Sequence, residues 1–360
     1  MKDPTQWPAF VDIPAMLFLA IALLSSQPVR AAPQTVAEVA MYDGADRAEV
    51  LEAGARKEGQ MLLYTPGGQI NPIMERFQAK YPYIRLEVLR GETPELTRRI
   101  MEEYKAERHT VDAMELDEGP LALLREAEIL QPYFSPQMGV YPAGAIEPGK
   151  RWVSSYESYK GLGFNTKLVS PEEAPRTYDD LLDPKWKGRM ATASSSIPTW
   201  IGGVLAIKGE DYLRKLGKQE ITVYSVHGRA LSNLVVSGEV ALSPVVFNSH
   251  MHDSANRGAS VAWRPLDGVY ALVAAVATTT KSPHPHAAMI FIDFMLSKEG
   301  QTMCQDMGYV SARGDLTSPD KPKQVVYGSQ IPDLAAKFEQ WNLLGQQVFG
   351  KGRSVPPEKN

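Results

Sequence analysis

The sequence has almost no cysteine: Cys304 is the only one among 360 residues. A single cysteine cannot form an intrachain disulfide, and it cannot build a cysteine-rich zinc site or a cysteine-ligated iron–sulfur cluster. It is compatible with an oxidising compartment but does not require one. The residues around Cys304 have a helical pattern, so we expect its thiol to pack in the interior rather than to act as a nucleophile.

An excess of charge is also missing. Lys and Arg number 38 against 42 Asp and Glu, which gives a formal net charge of −4 and a pI near 5.9. Because phosphate neutralisation needs clustered basic residues and no basic run is present, nucleic acid is excluded as an expected partner. Hydrophobic residues make up 44% of the chain, which is enough for a sizeable core and excludes low-complexity disorder. The length indicates two domains or lobes, at about 100–200 residues per domain.

Long apolar runs are absent except near the start. The run Ile13–Leu24 is shorter than the roughly 20 residues that span a bilayer. Pro28 follows it, and small residues precede a potential cleavage point after Ala31, as is typical of a secretory signal. We therefore predict that residues 1–31 are a signal peptide and that the protein is exported. A buried N-terminal helix stays open as an alternative, because Asp3 and Asp12 weaken the positive charge expected of a signal peptide.

Helix and strand patterns alternate after the leader. Apolar strand patterns occur at 61–64, 84–88 and 111–116, and Asn71-Pro72 and Thr93-Pro94 each predict a helix cap followed by a proline in the first turn. This β-α-β-α-β order predicts a doubly wound, mostly parallel α/β sheet. Ligands of such sheets bind beyond the carboxyl ends of the strands. The first candidate site segments are therefore 65–68, 91–93 and 117–118.

The second half of the chain continues the alternation. Strand patterns at 161–164, 189–193, 240–247 and 271–277 are separated by helical patterns, among them 197–207, 227–237 and 285–296. No segment repeats at a fixed period, and no low-complexity linker separates the halves. We therefore expect two lobes joined by strands of the fold itself.

Four stretches resemble the periplasmic solute-binding proteins of ABC importers, in the branch that includes the ferric-iron-binding proteins. They are Ala55–Gly59 before the first strand, Leu181–Gly188 (LLDPKWKG), Val236–Leu242 and Phe294–Gln301, and the resemblance extends from about Tyr42 to Gly314. It implies a two-lobed clamshell, each lobe a doubly wound and mostly parallel sheet, with the ligand cleft between the lobes and closure by hinge motion. It also implies that a small-molecule solute and the membrane permease of an ABC importer are the partners.

This resemblance divides the chain into segments. Residues 1–31 form the signal peptide, 32–57 an N-terminal helical segment, 58–153 the first part of lobe 1, 154–265 lobe 2, 266–318 the return to lobe 1, and 319–360 a C-terminal helical segment. We expect a monomer.

The resemblance argues against iron binding through the family's usual ligands. In the ferric-binding members, iron is held by a His after the first strand, a Glu after the third, and a Tyr-Tyr pair after the strand that follows a Gly-Glu turn. These places fall near Gly68, Asp117 and Val246-Phe247. Fe(III) prefers anionic oxygen ligands, and of these residues only Asp117 offers one. A different set drawn from the tyrosines stays open: Tyr64, Tyr156, Tyr159 and Tyr270.

Hydroxyls and free backbone amides remain at the expected cleft rim. Ser194–Ser196, at a strand-to-helix junction, combine N–H groups, hydroxyls and the positive end of a helix dipole, which suits an anion. Gly67-Gly68 allows close backbone approach. Asp117 and Asp267 could bind an ammonium or hydroxyl group of the ligand, or lie at the surface. The alternative is that the serines and Thr93 only cap helices.

The favoured ligand is a small organic anion or zwitterion, such as a phosphonate, phosphate ester or carboxylate. The expected ligand-binding residues are Gly67, Gly68, Thr93, Asp117, Tyr156, Ser194, Ser195, Ser196, Trp200, Phe247, Asn248, Asp267 and Tyr270. No catalytic residue, resident metal or cofactor is predicted. An alternative of another class is an exported hydrolase that uses Asp117 or the serines, but no base stands at a recognisable spacing from them.

Overall fold

Ten strands, counted over the residues that the structure describes, form the framework. The computed structural model describes residues 33–66, 70–328, 331 and 333–354, so the predicted signal peptide lies outside the described residues. The strands are β1 (Gln60–Thr65), β2 (Arg85–Arg90), β3 (Ala113–Asp117), β4 (Trp152–Asn165), β5 (Ala191–Ala193), β6 (Thr222–Tyr224), β7 (Leu242–Phe247), β8 (Val261–Arg264), β9 (Val269–Thr278) and β10 (Val325–Val326).

Twelve α-helices in the described part of the chain surround these strands. They are α1 (Val36–Ala40), α2 (Arg47–Glu58), α3 (Asn71–Lys80), α4 (Thr93–Lys105), α5 (Glu118–Glu126), α6 (Ile197–Lys208), α7 (Glu210–Gly217), α8 (Gly228–Ser237), α9 (Asn248–Asn256), α10 (Pro285–Leu296), α11 (Lys298–Asp306) and α12 (Leu334–Phe349). Within the described residues, none of them combines the length and the apolar character needed to cross a membrane.

Two predicted helix caps are wrong by one residue. Asn71 and Thr93 are the first residues of α3 and α4, and the N-cap positions belong to Ile70 and Glu92. The Asn71 side chain instead accepts a hydrogen bond from Arg90. The proline in each first turn is placed as predicted, since a missing N–H costs nothing there.

Lobe 1 is the part built on β1, β2 and β3, which pair in parallel in the order β2-β1-β3. Leu63 of β1 lies opposite Val88 of β2 and Ala113 of β3, so the predicted alternation of strands and helices is confirmed here. The helices α2, α3 and α10 pack together beside this sheet, where Phe77 and Phe291 are fully buried with their ring centres 5.2 Å apart.

The strands β4 and β9 connect lobe 1 to lobe 2, the part built on β5–β8. The first half of β4 (152–159) pairs with β9, which also pairs with β3, and its second half (160–165) pairs with β7 and β8. The α/β class and the joining of the lobes by strands of the fold are thus confirmed. All of these pairs are antiparallel, so the sheet is mixed beyond the parallel core of lobe 1. The reason is that the chain leaves lobe 1 along β4 and returns along β9.

The C-terminal segment runs along the connecting strands and then over lobe 2. β10 pairs in parallel with β9, and α12 packs on α6. Trp341 lies against Gly202 of α6, and the ring of Phe349 stacks on that of Trp200 at 5.1 Å. The division into segments at the predicted residue boundaries stays a prediction.

Candidate functional site

One face of β4 has partly exposed residues where the strand passes from lobe 1 to lobe 2. Along β4, Glu157 and Tyr159 are fully buried, whereas Ser158 and Lys160 are partly exposed. Residues directly opposite in neighbouring strands share a face, and the partners of Ser158 and Lys160 are Leu272 of β9 and Phe247 of β7. Both partners are partly exposed as well. We call Ser158, Lys160, Leu272 and Phe247 the cleft floor.

Lys160 is the charged group of the cleft floor. Its Nζ donates a hydrogen bond of 3.1 Å to Oγ1 of Thr199 and lies 4.9 Å from the ring centre of Phe247. Burial lowers the pKa of Lys160 to about 8, and no carboxylate among the described residues offsets that effect. The side chain is still mostly protonated at neutral pH. The floor therefore carries a cation without a counter-ion, a strong electrostatic determinant for an anion.

Lobe 2 lines one side of the floor with helix starts. The strands β5, β6 and β7 lead into the first turns of α6, α8 and α9. The Ser195 hydroxyl donates to the carbonyl of Val226 at 3.2 Å, which holds the ends of β5 and β6 together. A Cβ on Gly228, at the start of α8, would come within 2.9 Å of the Phe247 ring, so glycine permits this close approach. These helix starts turn N–H groups and positive dipole ends toward one region.

His250 of α9 lies beside the same floor residue. Its ring centre is 4.9 Å from that of Phe247, and its Nδ1 is 3.3 Å from the Ser232 hydroxyl. Burial, together with the positive charges of Arg229 and Lys160, lowers the pKa of His250 to about 4, so the imidazole is neutral at pH 7. Arg229 also pairs with Asp253 at 3.3 Å.

Lobe 1 lines the other side with carboxylates. Glu115 of β3 is 1% exposed and accepts hydrogen bonds from Thr65 at 2.8 Å and from Ser155 at 3.4 Å. Burial, aided by the charge of Asp117, raises the pKa of Glu115 to about 7, against the effect of its hydroxyl donors. Asp117 follows at the exposed end of the strand. The ring of Tyr156 lies 4.3 Å from that of Tyr309 and closes this side.

The structure brings together several of the predicted site residues. Ser194, Ser195 and Ser196 form the turn that leads into α6, where Thr199 returns a 3.1 Å hydrogen bond to the Ser196 carbonyl. Phe247 is on the floor. Asp117 and Tyr156 both lie opposite Ala274 of β9, which places them near each other on the lobe 1 side. Gly67 and Gly68 lie outside the described residues. Thr93 begins α4 beyond β2, two strands away from β3.

Two further predicted residues are placed elsewhere. Asp267 accepts a hydrogen bond from the Tyr178 backbone and lies 3.8 Å from Lys208, at the end of α6 opposite to the serines. A helix of 12 residues is about 18 Å long, so Asp267 cannot share a small ligand with Ser196. Trp200 is 3% exposed because Phe349 of α12 covers it. The structure does not bring these two residues to the cleft floor, and their place in the site stays a prediction.

Tyr270 and Asn248 have structural partners. Tyr270 is on the floor side of β9, but Gly203 of α6 packs against it and the centre of the Trp341 ring lies 6.5 Å from the centre of its own ring. The side chain of Tyr270 is therefore covered. Asn248 is 1% exposed, accepts from the Tyr159 backbone at 3.2 Å and donates to Asp320 at 2.9 Å. These contacts bind the segments of the fold to one another and leave neither side chain open to the cleft.

Sequence reasoning missed Lys160, Thr199, Ser158, Glu115 and His250. Lys160 had a usable signal, since it is the only basic residue in the 14-residue strand β4, whose other residues are nearly all buried. Glu115 had no such signal in the sequence, because a glutamate within a short strand could equally lie on an exposed face of the sheet.

The described residues contain no group of three or more His, Cys, Asp and Glu placed to hold a metal ion. The tyrosines considered as alternative iron ligands are also separated. Tyr64 donates to Glu103 at 3.0 Å, Tyr159 donates to Glu157, and Tyr270 is covered by α6. Only Tyr156 of that set lies in the cleft.

A separate concavity of about 1490 Å³ lies between α4, α5 and the start of α12. Its lining includes Met101 and Leu123, which are 42% and 48% exposed, and Phe338. None of the floor residues lines this concavity.

A family model described as bacterial extracellular solute-binding protein matches residues 116–337, more than half of the sequence. The chain belongs to the bacterial extracellular solute-binding protein family. The predicted resemblance is confirmed by this match and by the fold of solved structures. A Bordetella ferric binding protein has a TM-score of 0.67 at 19% identity, over 81% of this chain and 100% of that one. The periplasmic binding protein AfuA from Actinobacillus pleuropneumoniae, with exogenous fructose-6-phosphate bound, has a TM-score of 0.56 at 20% identity, over 81% of this chain and 97% of that one. These neighbours establish the two-lobed periplasmic-binding fold.

Two relatives of the solute-binding chain are more similar in sequence. An uncharacterized protein of Haemophilus influenzae is 25% identical over 204 residues, which are 52% of this chain and 59% of that protein. The chain thus matches less than two thirds of the length of that relative. The iron uptake protein A1 of a Synechocystis strain is 25% identical over 261 residues, which are 66% of this chain and 71% of that protein.

Proposed function

We propose that this protein is the periplasmic solute-binding component of an ABC importer, that it captures a small organic anion in the cleft, and that it delivers this solute to a membrane permease. Membership of the solute-binding family supports the general role. The observation that carries the choice of ligand is Lys160, a largely enclosed cation on the cleft floor with no counter-ion among the described residues. The predicted signal peptide supports export.

The surroundings of Lys160 favour an oxyanion. Thr199 and the serine turn before α6 add hydroxyls and a positive helix end beside the ammonium group. Phosphate esters, phosphonates and carboxylates all offer such an oxyanion. AfuA, whose solved structure holds fructose-6-phosphate, shows that this fold can hold a phosphate ester.

A transport role fits the cleft better than hydrolysis does. The Ser195 hydroxyl donates to the Val226 carbonyl, and no histidine in the described part of the chain hydrogen-bonds to Ser194–Ser196. A serine nucleophile needs a base within hydrogen-bond reach.

Ferric iron is the second candidate, favoured by the names of similar proteins: iron uptake protein A1 and the Bordetella ferric binding protein. Phe247 stands where those proteins are expected to supply a tyrosine. The oxygen ligands near one another in this cleft are Asp117, Glu115, Tyr156 and Tyr309, and they would form a non-standard set.

The deciding experiment is native purification followed by analysis of the bound solute. We expect mass spectrometry of the released ligand to find an organic anion, and elemental analysis to find substoichiometric iron. Adding ferric salt should give no visible tyrosinate-to-iron charge-transfer band. One iron per chain together with that band would overturn the anion assignment in favour of the second candidate.

A further inference from the structure

The segment 318–327, which we call the strap, crosses the strands that connect the two lobes. Pro319 and Pro322 keep its first part from forming a helix, and its later part contains the two-residue strand β10, which pairs with β9. The amide of Val269 in β9 donates to the carbonyl of Gln324 at 3.0 Å. Because so short a strand supplies few backbone hydrogen bonds, the side chains of the strap largely decide whether it stays docked.

The two ends of the strap are tied to different parts of the fold. Near its start, Asp320 is 9% exposed and accepts hydrogen bonds from Asn248 at 2.9 Å and from His252 at 2.7 Å, both on α9 of lobe 2. At its end, Tyr327 donates a hydrogen bond to Glu157 of β4. The strap therefore joins lobe 2 to the connecting strands through two titratable groups, His252 and Glu157.

Glu157 is fully buried beside the strap. Tyr159 and Tyr327 donate hydrogen bonds to its carboxyl, but its Oε1 has no hydrogen-bond partner among the described residues. Lys321 of the strap attracts its charge, and the residues that pair with Glu157 on either side are valines. Burial outweighs these contacts and raises the pKa of Glu157 to about 7. An ionised Glu157 therefore gains free energy when release of the strap lets water reach it.

His252 titrates in the same direction. Its hydrogen bond to Asp320 raises the pKa of His252 above the ordinary value, against the effect of burial. The ring of Trp263, 6.0 Å away between centres, brings no charge. Because both pKa values are higher in the docked state, both contacts favour docking at low pH, and both contributions are lost as the pH rises through those values.

We propose that the strap is a pH-sensitive latch on the connecting strands, docked in acidic solution and released locally, without unfolding of the lobes, as the pH rises through neutrality. Release exposes Glu157 to water and frees α9 from Asp320, so fewer contacts hold lobe 2 to β4 and β9. Since α9 begins directly after Phe247, the latch acts beside the cleft floor without touching a solute. It does not depend on which solute binds.

Hydrogen–deuterium exchange of the unmodified protein from pH 5 to 8, corrected for the intrinsic rate at each pH, tests the latch. Peptides that cover 320–327 and Val269 report the strap, and peptides that cover β1 report global unfolding. We expect the strap to be less protected than β1 at every pH, and its protection to fall by at least about tenfold between pH 5 and 7. Protection of the strap equal to that of β1, or independent of pH, would overturn the proposal.

Variants assign the fall in protection to the two groups. Glu157→Gln should remove most of it, and addition of His252→Gln should remove the rest. The matched control is Glu239→Gln, which replaces an exposed carboxylate just after α8 and should show the same fall as the unmodified protein. An undiminished fall in Glu157→Gln would also exclude the latch. Because the pH series on the unmodified protein needs no variant, a folding defect in Glu157→Gln leaves that test intact.

Discussion

The ammonium group of Lys160, midway along β4, lies 3.1 Å from the hydroxyl oxygen of Thr199 in the first turn of α6. Thr199 in turn donates to the Ser196 carbonyl at 3.1 Å, so its hydroxyl joins the connecting strand to the serine turn. A cation and a helix start thereby face the same space between the lobes. The proposed solute site therefore includes the connecting strand β4 as well as the loops at its rim.

The affinity for an anion should depend on pH through Lys160. Its pKa of about 8 in the free protein means that the ammonium form dominates below pH 8 and is lost above it. We expect the affinity for ethyl phosphate to fall by about twofold from pH 7 to 8 and more steeply above pH 8, approaching about tenfold per pH unit. Titration calorimetry from pH 7 to 10 measures this. A level affinity up to pH 10 would show that Lys160 does not contact the anion.

Lys160 should also destabilise the empty protein. A lowered pKa means that folding disfavours the charged form, so removal of the charge stabilises the fold. We expect Lys160→Met, which is one atom shorter and otherwise similar in shape, to raise the ligand-free Tm by a few degrees. Differential scanning calorimetry measures the change.

The matched control is Lys208→Met, at the other end of α6, where the lysine pairs with Asp179 at 2.8 Å. Its Tm should stay the same or fall slightly. An equal rise in both variants would attribute the effect to the gain of an apolar side chain rather than to the loss of an uncompensated charge.

Glu157, on the buried face of β4, should make stability depend on pH. Burial raises its pKa to about 7, although Tyr159 and Tyr327 donate hydrogen bonds to it. The unfolded pKa is about 4.3. Because the folded value is the higher one, this carboxyl stabilises the protein fully below pH 4.3, and its contribution is lost as the pH rises through 7.

The variant Glu157→Gln removes that titration. At pH 8 we expect the free energy of unfolding of this variant to exceed that of the unmodified protein by on the order of 2 kcal/mol. The difference should vanish toward pH 4. Urea denaturation at the two pH values measures it. A difference of the same size at both would assign the effect to packing.

Local patterns in the sequence predicted the parallel core of lobe 1 because they are set by neighbouring residues. Strand alternation around Leu63 and a proline in the first turn of α4 are visible without tertiary contacts. The serine turn could be placed as well, since it follows a strand and precedes a helix.

The remainder of the site depends on contacts distant in sequence. Trp200 follows the serines, but its environment is decided by Phe349, about 150 positions later in the chain. Asp267 is separated from the serines by the length of α6. Lys160 belongs to the cleft floor because the strand register places it opposite Phe247 of β7. No periodicity contains this information.

The C-terminal helix should contribute to the stability of lobe 2. The ring of Phe349 stacks on that of Trp200 with an angle of 15° between the planes, and a Cβ on Gly345 would meet Ile197 at 2.1 Å, so α12 lies directly on α6. Phe349 is partly exposed. We expect Phe349→Ala to lower the free energy of unfolding by about 1–3 kcal/mol, less than for a fully buried phenylalanine.

The control for this variant is Leu343→Ala on the same helix, because Leu343 is 54% exposed and its truncation should change stability by less than about 0.5 kcal/mol. Urea denaturation followed by tryptophan fluorescence reports both variants, and the summed emission of the six tryptophans should shift to longer wavelength in Phe349→Ala as water reaches the Trp200 indole. If the two variants unfold alike and the emission does not move, α12 is not held on α6 by this stacking. In that case Trp200 would be open to solvent at the end of the serine turn, and it would return to the group of residues that can contact the solute.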